Sequence, residues 1–77
     1  MKIPVTKRTG YEINHVRAGQ MIRRARALAG VAQGSLAAEM KLDQARLSQM
    51  ESGKRPWTEN HFTLAAFSIN KLKSNTT

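Results

Sequence analysis

The chain has 77 residues and a mass of 8.6 kDa, the length of a single domain. Thirteen Lys and Arg residues against five Asp and Glu residues give a formal net charge of +8, which predicts a polyanionic partner. The absence of cysteine excludes disulfides, thiolate zinc sites and thiol nucleophiles, and the longest apolar stretch, residues 64–67, is too short to cross a membrane.

Residues 1–13 are predicted to form a basic arm. Lys2, Lys7 and Arg8 occur in this segment among proline and glycine residues, and no apolar position repeats at helical spacing. Two interpretations remain open. The segment is either a terminus that is disordered without a ligand, or an arm that becomes ordered on a polyanion.

The first predicted helix runs from Asn14, a suitable N-cap, to Ala29. Its apolar face would consist of Val16, Ile22, Ala25 and Ala29. Gly19 weakens the helical propensity of the first half. Gly30 is expected to end the helix in the left-handed conformation that glycine tolerates best.

Two further helices are predicted over residues 33–40 and 44–52, with Asp43 as the N-cap of the second of them. Their apolar positions are Leu36, Ala37, Met40, Leu47 and Met50. A break of only about three residues separates them, which is the spacing of a helix-turn-helix. A small side chain such as Ala37 is needed where two short helices cross closely. Any helical hairpin can show this spacing by chance, so the spacing alone leaves the motif open.

The last predicted helix covers residues 59–69, with Thr58 as its N-cap. Its core face would consist of Phe62, Ala65, Ala66 and Ile69. Trp57, which precedes it, is interpreted as a lid on the core, with stacking on a nucleic-acid base as the alternative. Residues 71–77 are predicted to be a short basic tail. No segment alternates as a strand does, so the predicted fold is all-α, a compact bundle of four or five short helices.

Catalysis and metal binding are not supported by the residues available. No glycine-rich phosphate loop is present, and Ser35 and Ser48 have no histidine at a convincing spacing. His15 and His61 are isolated from possible co-ligands, and the acidic residues are spread along the chain. We therefore predict that the protein is not an enzyme and has no metal site and no cofactor.

Residues 16–69 resemble the Cro/repressor-type (Xre-like) helix-turn-helix family of bacterial and phage regulators. The matching residues are Ile22, Arg26 and Gly30, the run Gln33-Gly34-Ser35-Leu36-Ala37, the run Leu47-Ser48-Gln49-Met50-Glu51-Ser52-Gly53-Lys54, and finally Phe62, Ala65, Ala66 and Ile69. The resemblance implies a bundle of the lambda-repressor-like DNA-binding type over residues 14–70. The family usually has glycine in the turn of the motif, where this chain has Lys41, so we expect Lys41 to adopt a positive φ.

The resemblance also implies roles for individual side chains. The residues expected to read bases are Gln44, Ala45, Arg46, Ser48 and Gln49. The residues expected to bind DNA phosphates are Arg23, Gln33, Ser52, Lys54 and Arg55. Arg26 and Glu51 match a pair that forms an internal salt bridge in this family. The arm residues Lys2, Lys7 and Arg8 are expected to wrap the duplex or enter a neighbouring groove.

The implied function is that of a sequence-specific, double-stranded-DNA-binding transcriptional regulator. We expect a cytoplasmic, nucleoid-associated repressor or autoregulator of a phage, mobile-element or defence operon, of bacterial or phage origin. It would bind a palindromic operator as a homodimer, without a membrane or small-molecule partner. Three alternatives remain: an antitoxin that binds DNA and a toxin, a controller of a restriction–modification or phage-defence operon, and a basic module that binds RNA or a protein helix.

Overall fold

Four helices follow one another in the computed structural model, which describes residues 2–6 and 12–74. They are α1 (His15–Leu28), α2 (Gln33–Glu39), α3 (Gln44–Glu51) and α4 (Glu59–Ser74). The described ranges contain no strand segment, although one isolated antiparallel bridge joins Val5 to Ile13. The prediction of an all-α helix-turn-helix bundle is confirmed.

The helix ends follow the predicted local signals with one exception. The side chain of Asn14 accepts a hydrogen bond from the amide of Arg17 at 3.1 Å, and Gly30 has a φ of 70°. Thr58 caps α4 through a 3.0 Å bond from the amide of His61. The exception is Asp43, which is the N-cap of α3 as predicted and has the extended backbone of a cap, but whose side chain makes no capping hydrogen bond.

The apolar face of α1 differs from the prediction at its beginning. Ile22 is fully buried, whereas Val16 is 54% exposed and lies outside the core. The buried positions in this half of the helix are instead Ala18 and Gly19. Their small side chains let α1 approach α3 closely, so the buried stripe follows the closest backbone contact rather than the largest apolar residue.

Trp57 is a core residue, as its interpretation as a lid predicted. Its side chain is 1% exposed, and its indole Nε1 donates a 2.9 Å hydrogen bond to the carbonyl of Met50. Its ring meets that of Phe62 edge to face, with ring centroids 6.0 Å apart. The backbone amide of Trp57 also donates to Nδ1 of His15 at 2.8 Å. The loop before α4 is therefore fastened to both α1 and α3, and the indole is not free to stack on a base.

The N-terminal residues in the described ranges fold back onto the bundle. The amide of Thr6 donates to the carbonyl of Glu12 at 2.8 Å, and the amide of Asn14 donates to the carbonyl of Pro4 at 3.0 Å. Ile3 and Ile13 pack against the core. Residues 2–6 are thus paired with residues 12–14, an arrangement that neither interpretation of the arm included.

The last helix continues past its predicted end. α4 extends through Ser74, so the first residues of the predicted tail are helical. Leu72, one turn after Ile69, packs against the core and extends the apolar stripe. Lys71 forms a 2.6 Å exposed salt bridge to Glu39 of α2. None of the helices in residues 2–6 and 12–74 is both long enough and apolar enough to span a bilayer.

The turn between α2 and α3 has the conformation that the resemblance to the family implied. Lys41 has a φ of 58°, in the left-handed region. Its amide donates to the carbonyl of Ala38 at 3.1 Å, and the amide of Leu42 donates to the carbonyl of Ala37 at 2.8 Å. These two bonds end α2 and turn the chain into α3, so a non-glycine residue is held in a strained conformation by its neighbours.

Replacing this lysine by glycine is expected to stabilise the protein. The left-handed conformation costs an L-residue about 1–2 kcal/mol, and the greater freedom of glycine in the unfolded chain offsets about half of the gain. Lys41→Gly should therefore raise the free energy of unfolding by about 0.5–1 kcal/mol in urea titrations. Ala27→Gly, at an exposed position in α1, is the control and should lower it by a similar amount. A loss of stability in both variants would contradict the strain at Lys41.

Candidate nucleic-acid interface

Helices α2 and α3 pack against the core, and one side of α3 remains exposed. Leu36, Ala37, Leu47 and Met50 are buried in the common core. Ala37 is 2% exposed, and its methyl group leaves room for the two helices to approach each other. A helix-turn-helix needs this rigid support, because its second helix must enter a groove without changing shape.

The two faces of α3 differ sharply in burial. The buried residues are Leu47, Met50 and Glu51, spaced three and four residues apart along one side of the helix. The exposed residues are Gln44, Ala45, Arg46, Ser48 and Gln49. All five side chains predicted to read bases therefore lie on the exposed part of one helix.

Arg26 and Glu51 form a two-pronged salt bridge beneath this helix. Arg26 Nε lies 2.9 Å from Glu51 Oε2, and its Nη2 lies 3.0 Å from Oε1. Arg26 Nη1 also donates to the carbonyl of Val31 at 3.1 Å. The carboxylate is almost completely buried, so both charges depend on this geometry for their hydrogen bonds. The bridge joins the end of α1 to the end of α3.

Gln33 connects this salt bridge to the exposed face of α3. Its Nε2 donates to Glu51 Oε1 at 3.0 Å, and its Oε1 accepts a 3.4 Å hydrogen bond from Nε2 of Gln44. Both ends of the Gln33 amide are thus engaged inside the protein. The interaction leaves Gln44 with its carbonyl oxygen and a second N–H for a base edge.

The side chains predicted to bind phosphates occupy two places next to α3. Arg23, Gln33 and Ser52 line a cleft of about 200 Å³, which is also lined by Arg26, Ser48 and Glu51. Lys54 and Arg55 are exposed on the loop after α3. Of the arm residues, Lys2 is exposed, and Lys7 and Arg8 lie outside the described residues.

Arg55 also contacts the exposed face of α3 directly. Its Nε donates a hydrogen bond to Oε1 of Gln49. The loop backbone is held nearby, because the amide of Lys54 donates to the carbonyl of Gln49 at 2.8 Å. One predicted phosphate contact and one predicted base contact are therefore joined in the protein itself.

Gly19 positions α3, a role that the sequence analysis missed. A Cβ atom at this position would lie 2.4 Å from the carbonyl oxygen of Met50 and 2.6 Å from that of Glu51. The backbones of α1 and α3 therefore touch at Gly19. The signal in the sequence was Gly19, a residue of low helical propensity inside the first half of a predicted helix and next to the small residue Ala18.

Residues 2–6 and 12–74 contain no cluster of three or more His, Asp or Glu side chains arranged to hold a metal ion. The exposed part of α3 and the loop after it carry the amides of Gln44 and Gln49, the hydroxyl of Ser48 and the positive charges of Arg46, Lys54 and Arg55. Amides, hydroxyls and guanidinium groups are the side chains that contact base edges and phosphates in protein–DNA complexes.

The chain was compared with protein families, curated sequences and solved structures, and a solved structure with a similar fold was found. No protein-family model matches the chain, and no curated protein sequence matches it. Among solved structures, the restriction-modification controller protein C.AhdI from Aeromonas hydrophila matches with a TM-score of 0.67 and 26% sequence identity, over 74% of this chain and 86% of that chain. This similarity in fold and sequence agrees with the resemblance of residues 16–69 to the Cro/repressor-type (Xre-like) helix-turn-helix regulators.

Proposed function

We propose that this protein is a sequence-specific, double-stranded-DNA-binding transcription regulator that inserts α3 into the major groove. The observation that carries the proposal is the exposure of all five polar or small side chains on one side of α3, while its other side is buried. The major groove of B-form DNA admits an α-helix, and each base pair presents a distinct pattern of donors and acceptors there.

The exposed face offers complementary groups for base edges. Gln44, held by Gln33, is suited to pair with the N6 and N7 atoms of adenine, and the methyl group of Ala45 is suited to contact a thymine methyl. The remaining candidates for base or backbone contacts on this face are Arg46, Ser48 and Gln49. A face with several such groups supports sequence-specific binding rather than general attraction to DNA.

Cationic and polar groups beside α3 would fix its position on the duplex. The candidates for phosphate contacts are Arg23, Gln33, Ser52, Lys54 and Arg55, with Lys2, Lys7 and Arg8 on the arm. A formal charge of +8 on a chain of this size favours rapid association with any duplex. Phosphate contacts orient the protein, whereas the face of α3 supplies the sequence preference.

The proposed active form is a homodimer on a palindromic operator. A single small module buries only about 600–1,000 Å² of protein surface on DNA, which is little for tight specific binding. Two copies would place their α3 helices in successive major grooves, about 34–36 Å apart. Sedimentation that shows a monomer both free and on a selected duplex would contradict this form.

We propose a repressor or autoregulator of a phage, mobile-element or defence operon as the biological role. The similarity to a restriction-modification controller protein supports an operon of the defence type. A shared fold alone does not determine the regulated genes, so this part of the proposal depends on the operator that the protein selects.

Two substitutions separate base reading from phosphate binding. Gln44→Ala should weaken binding to the duplex that the wild-type protein selects from a random pool by about 1–3 kcal/mol. It should also relax the sequence preference at one base pair. Lys54→Ala should weaken binding to all duplexes alike. It should also reduce the steepness with which the logarithm of the binding constant falls with the logarithm of the salt concentration, by about 1. Fluorescence anisotropy over a series of salt concentrations measures both effects.

The same titrations give the result that would contradict the proposal. An RNA- or protein-binding module would show no difference between selected and random DNA duplexes, and Gln44→Ala would change both equally. The loss of preference at one base pair in Gln44→Ala, with an unchanged salt slope, is the pattern that only base reading produces.

A further inference from the structure

Several hydrogen bonds join the loop after α3 to Gln49, a residue of the exposed face. Three groups donate to its main-chain carbonyl: the amide of Lys54 at 2.8 Å, the hydroxyl of Ser52 at 3.1 Å and the amide of Arg55 at 3.3 Å. These bonds hold the backbone of Arg55 next to Gln49. The arginine side chain therefore needs to span only a short distance to reach the glutamine side chain.

The side-chain contact fixes the orientation of the Gln49 amide. Arg55 Nε donates to Gln49 Oε1, and both side chains are exposed. A guanidinium group has only donors, so it attracts the oxygen of the amide and turns the amino group away. The contact of Gln44 is the opposite one. Gln44 donates its amino group to Gln33 and keeps its oxygen available.

On the basis of the proposed DNA-binding function, we propose that Arg55 is a positioning residue that determines the base preference of Gln49. With Oε1 directed to Arg55, Gln49 presents the N–H groups of Nε2 to the groove. These groups match a base edge that carries acceptors, such as guanine N7 and O6 or thymine O4. Adenine and cytosine present an amino group in the major groove, which needs the oxygen that Arg55 engages.

The two glutamines of α3 would therefore read different bases, although their side chains are identical. Gln44 offers one acceptor and one donor, the pattern that pairs with adenine. Gln49 offers donors. The other N–H groups of Arg55 remain available for a phosphate, so Arg55 can hold the DNA backbone and orient Gln49 at the same time.

The test compares Arg55→Met with Lys54→Met, two neighbouring substitutions that each remove one exposed positive charge and keep a similar stem. A duplex is first selected with the wild-type protein, and Gln49→Ala then identifies the base pair whose preference depends on Gln49. Four duplexes that differ only at that base pair are titrated against wild type and both methionine variants at one salt concentration.

We expect wild type to prefer guanine or thymine, which present only acceptors for hydrogen bonds in the major groove, over adenine or cytosine, which present an amino group, by about tenfold at this position. Both methionine variants should bind the best duplex more weakly, because each loses a charge near the phosphates. Only Arg55→Met should also lose the preference and bind the four duplexes within about threefold of one another, as Gln49→Ala does. The preference at the base pair that depends on Gln44 should be unchanged in Arg55→Met.

Three results would overturn the inference. If Arg55→Met and Lys54→Met keep the same base preference as wild type, Arg55 contributes only charge. If Gln49→Ala changes no base preference, Gln49 does not read a base, and the proposed function still stands on the other residues of α3. If wild type selects no sequence at all, both the inference and the proposed function are wrong.

Discussion

Gly19→Ala is expected to destabilise the protein by about 3 kcal/mol or more, a large fraction of the total stability of a small domain. The added methyl carbon would lie 2.4 and 2.6 Å from two backbone carbonyl oxygens at the end of α3. Real Cβ atoms essentially never approach a neighbour within 3.0 Å, and a backbone oxygen cannot rotate away as the end of a side chain can. The helices α1 and α3 would have to separate, which opens the core around Ile22.

Urea and thermal unfolding, followed by circular dichroism, measure this loss directly. Gly34→Ala is the matched control, because its Cβ would meet only the flexible end of the Gln44 side chain, at 3.3 Å. In α2, alanine is favoured over glycine by about 0.5–1 kcal/mol, so the control should be neutral or slightly stabilised. Equal stability of the two alanine variants would show that α1 and α3 do not touch at Gly19.

Glu51→Ala is expected to cost about 3–5 kcal/mol, because it removes one partner of a buried ion pair and leaves the other without compensation. The Arg26 side chain is only 16% exposed, and without the carboxylate it would lose two of its hydrogen bonds. Gln33 would lose the acceptor that holds its amide. The same substitution should therefore also weaken DNA binding through Gln44, in the fraction of protein that remains folded.

A double substitution separates the contribution of the pair from the cost of a buried, unpaired charge. Arg26→Met combined with Glu51→Leu should recover most of the stability lost in Glu51→Ala, because apolar residues of similar volume replace both charges. Urea titrations of wild type, Arg26→Met, Glu51→Leu and the double variant give the coupling energy between the two sites. A cost below about 1 kcal/mol for Glu51→Ala would mean that the pair behaves as a solvent-exposed salt bridge.

Features that depend on local spacing were predictable from the sequence. The buried stripe of α3 follows from the spacing of Leu47 and Met50. The left-handed conformation of Lys41 was implied by the resemblance to a family that usually has glycine at this position. The Arg26–Glu51 pair is separated by 25 residues, and only the resemblance to a known family pointed to it. The exposure of the candidate base-reading residues follows from the same periodicity that buries their neighbours.

Features that depend on contacts between distant residues were not predictable in this way. The pairing of residues 2–6 with residues 12–14 relies on backbone hydrogen bonds, which leave no periodic pattern in so short a segment. The bond from Trp57 to His15 joins positions 42 residues apart. Gly19 has unfavourable helical propensity, and only the position of α3 shows that the close approach of two backbones requires it.

One binding ratio tests most directly whether the exposed face of α3 reads DNA sequence. A duplex selected by the wild-type protein from a random pool is compared with a scrambled duplex of the same length and composition, at about 150 mM salt, where nonspecific attraction is weakened. The proposed function predicts that the selected duplex binds at least about 1,000-fold more tightly. Equal affinity for the two duplexes would contradict it.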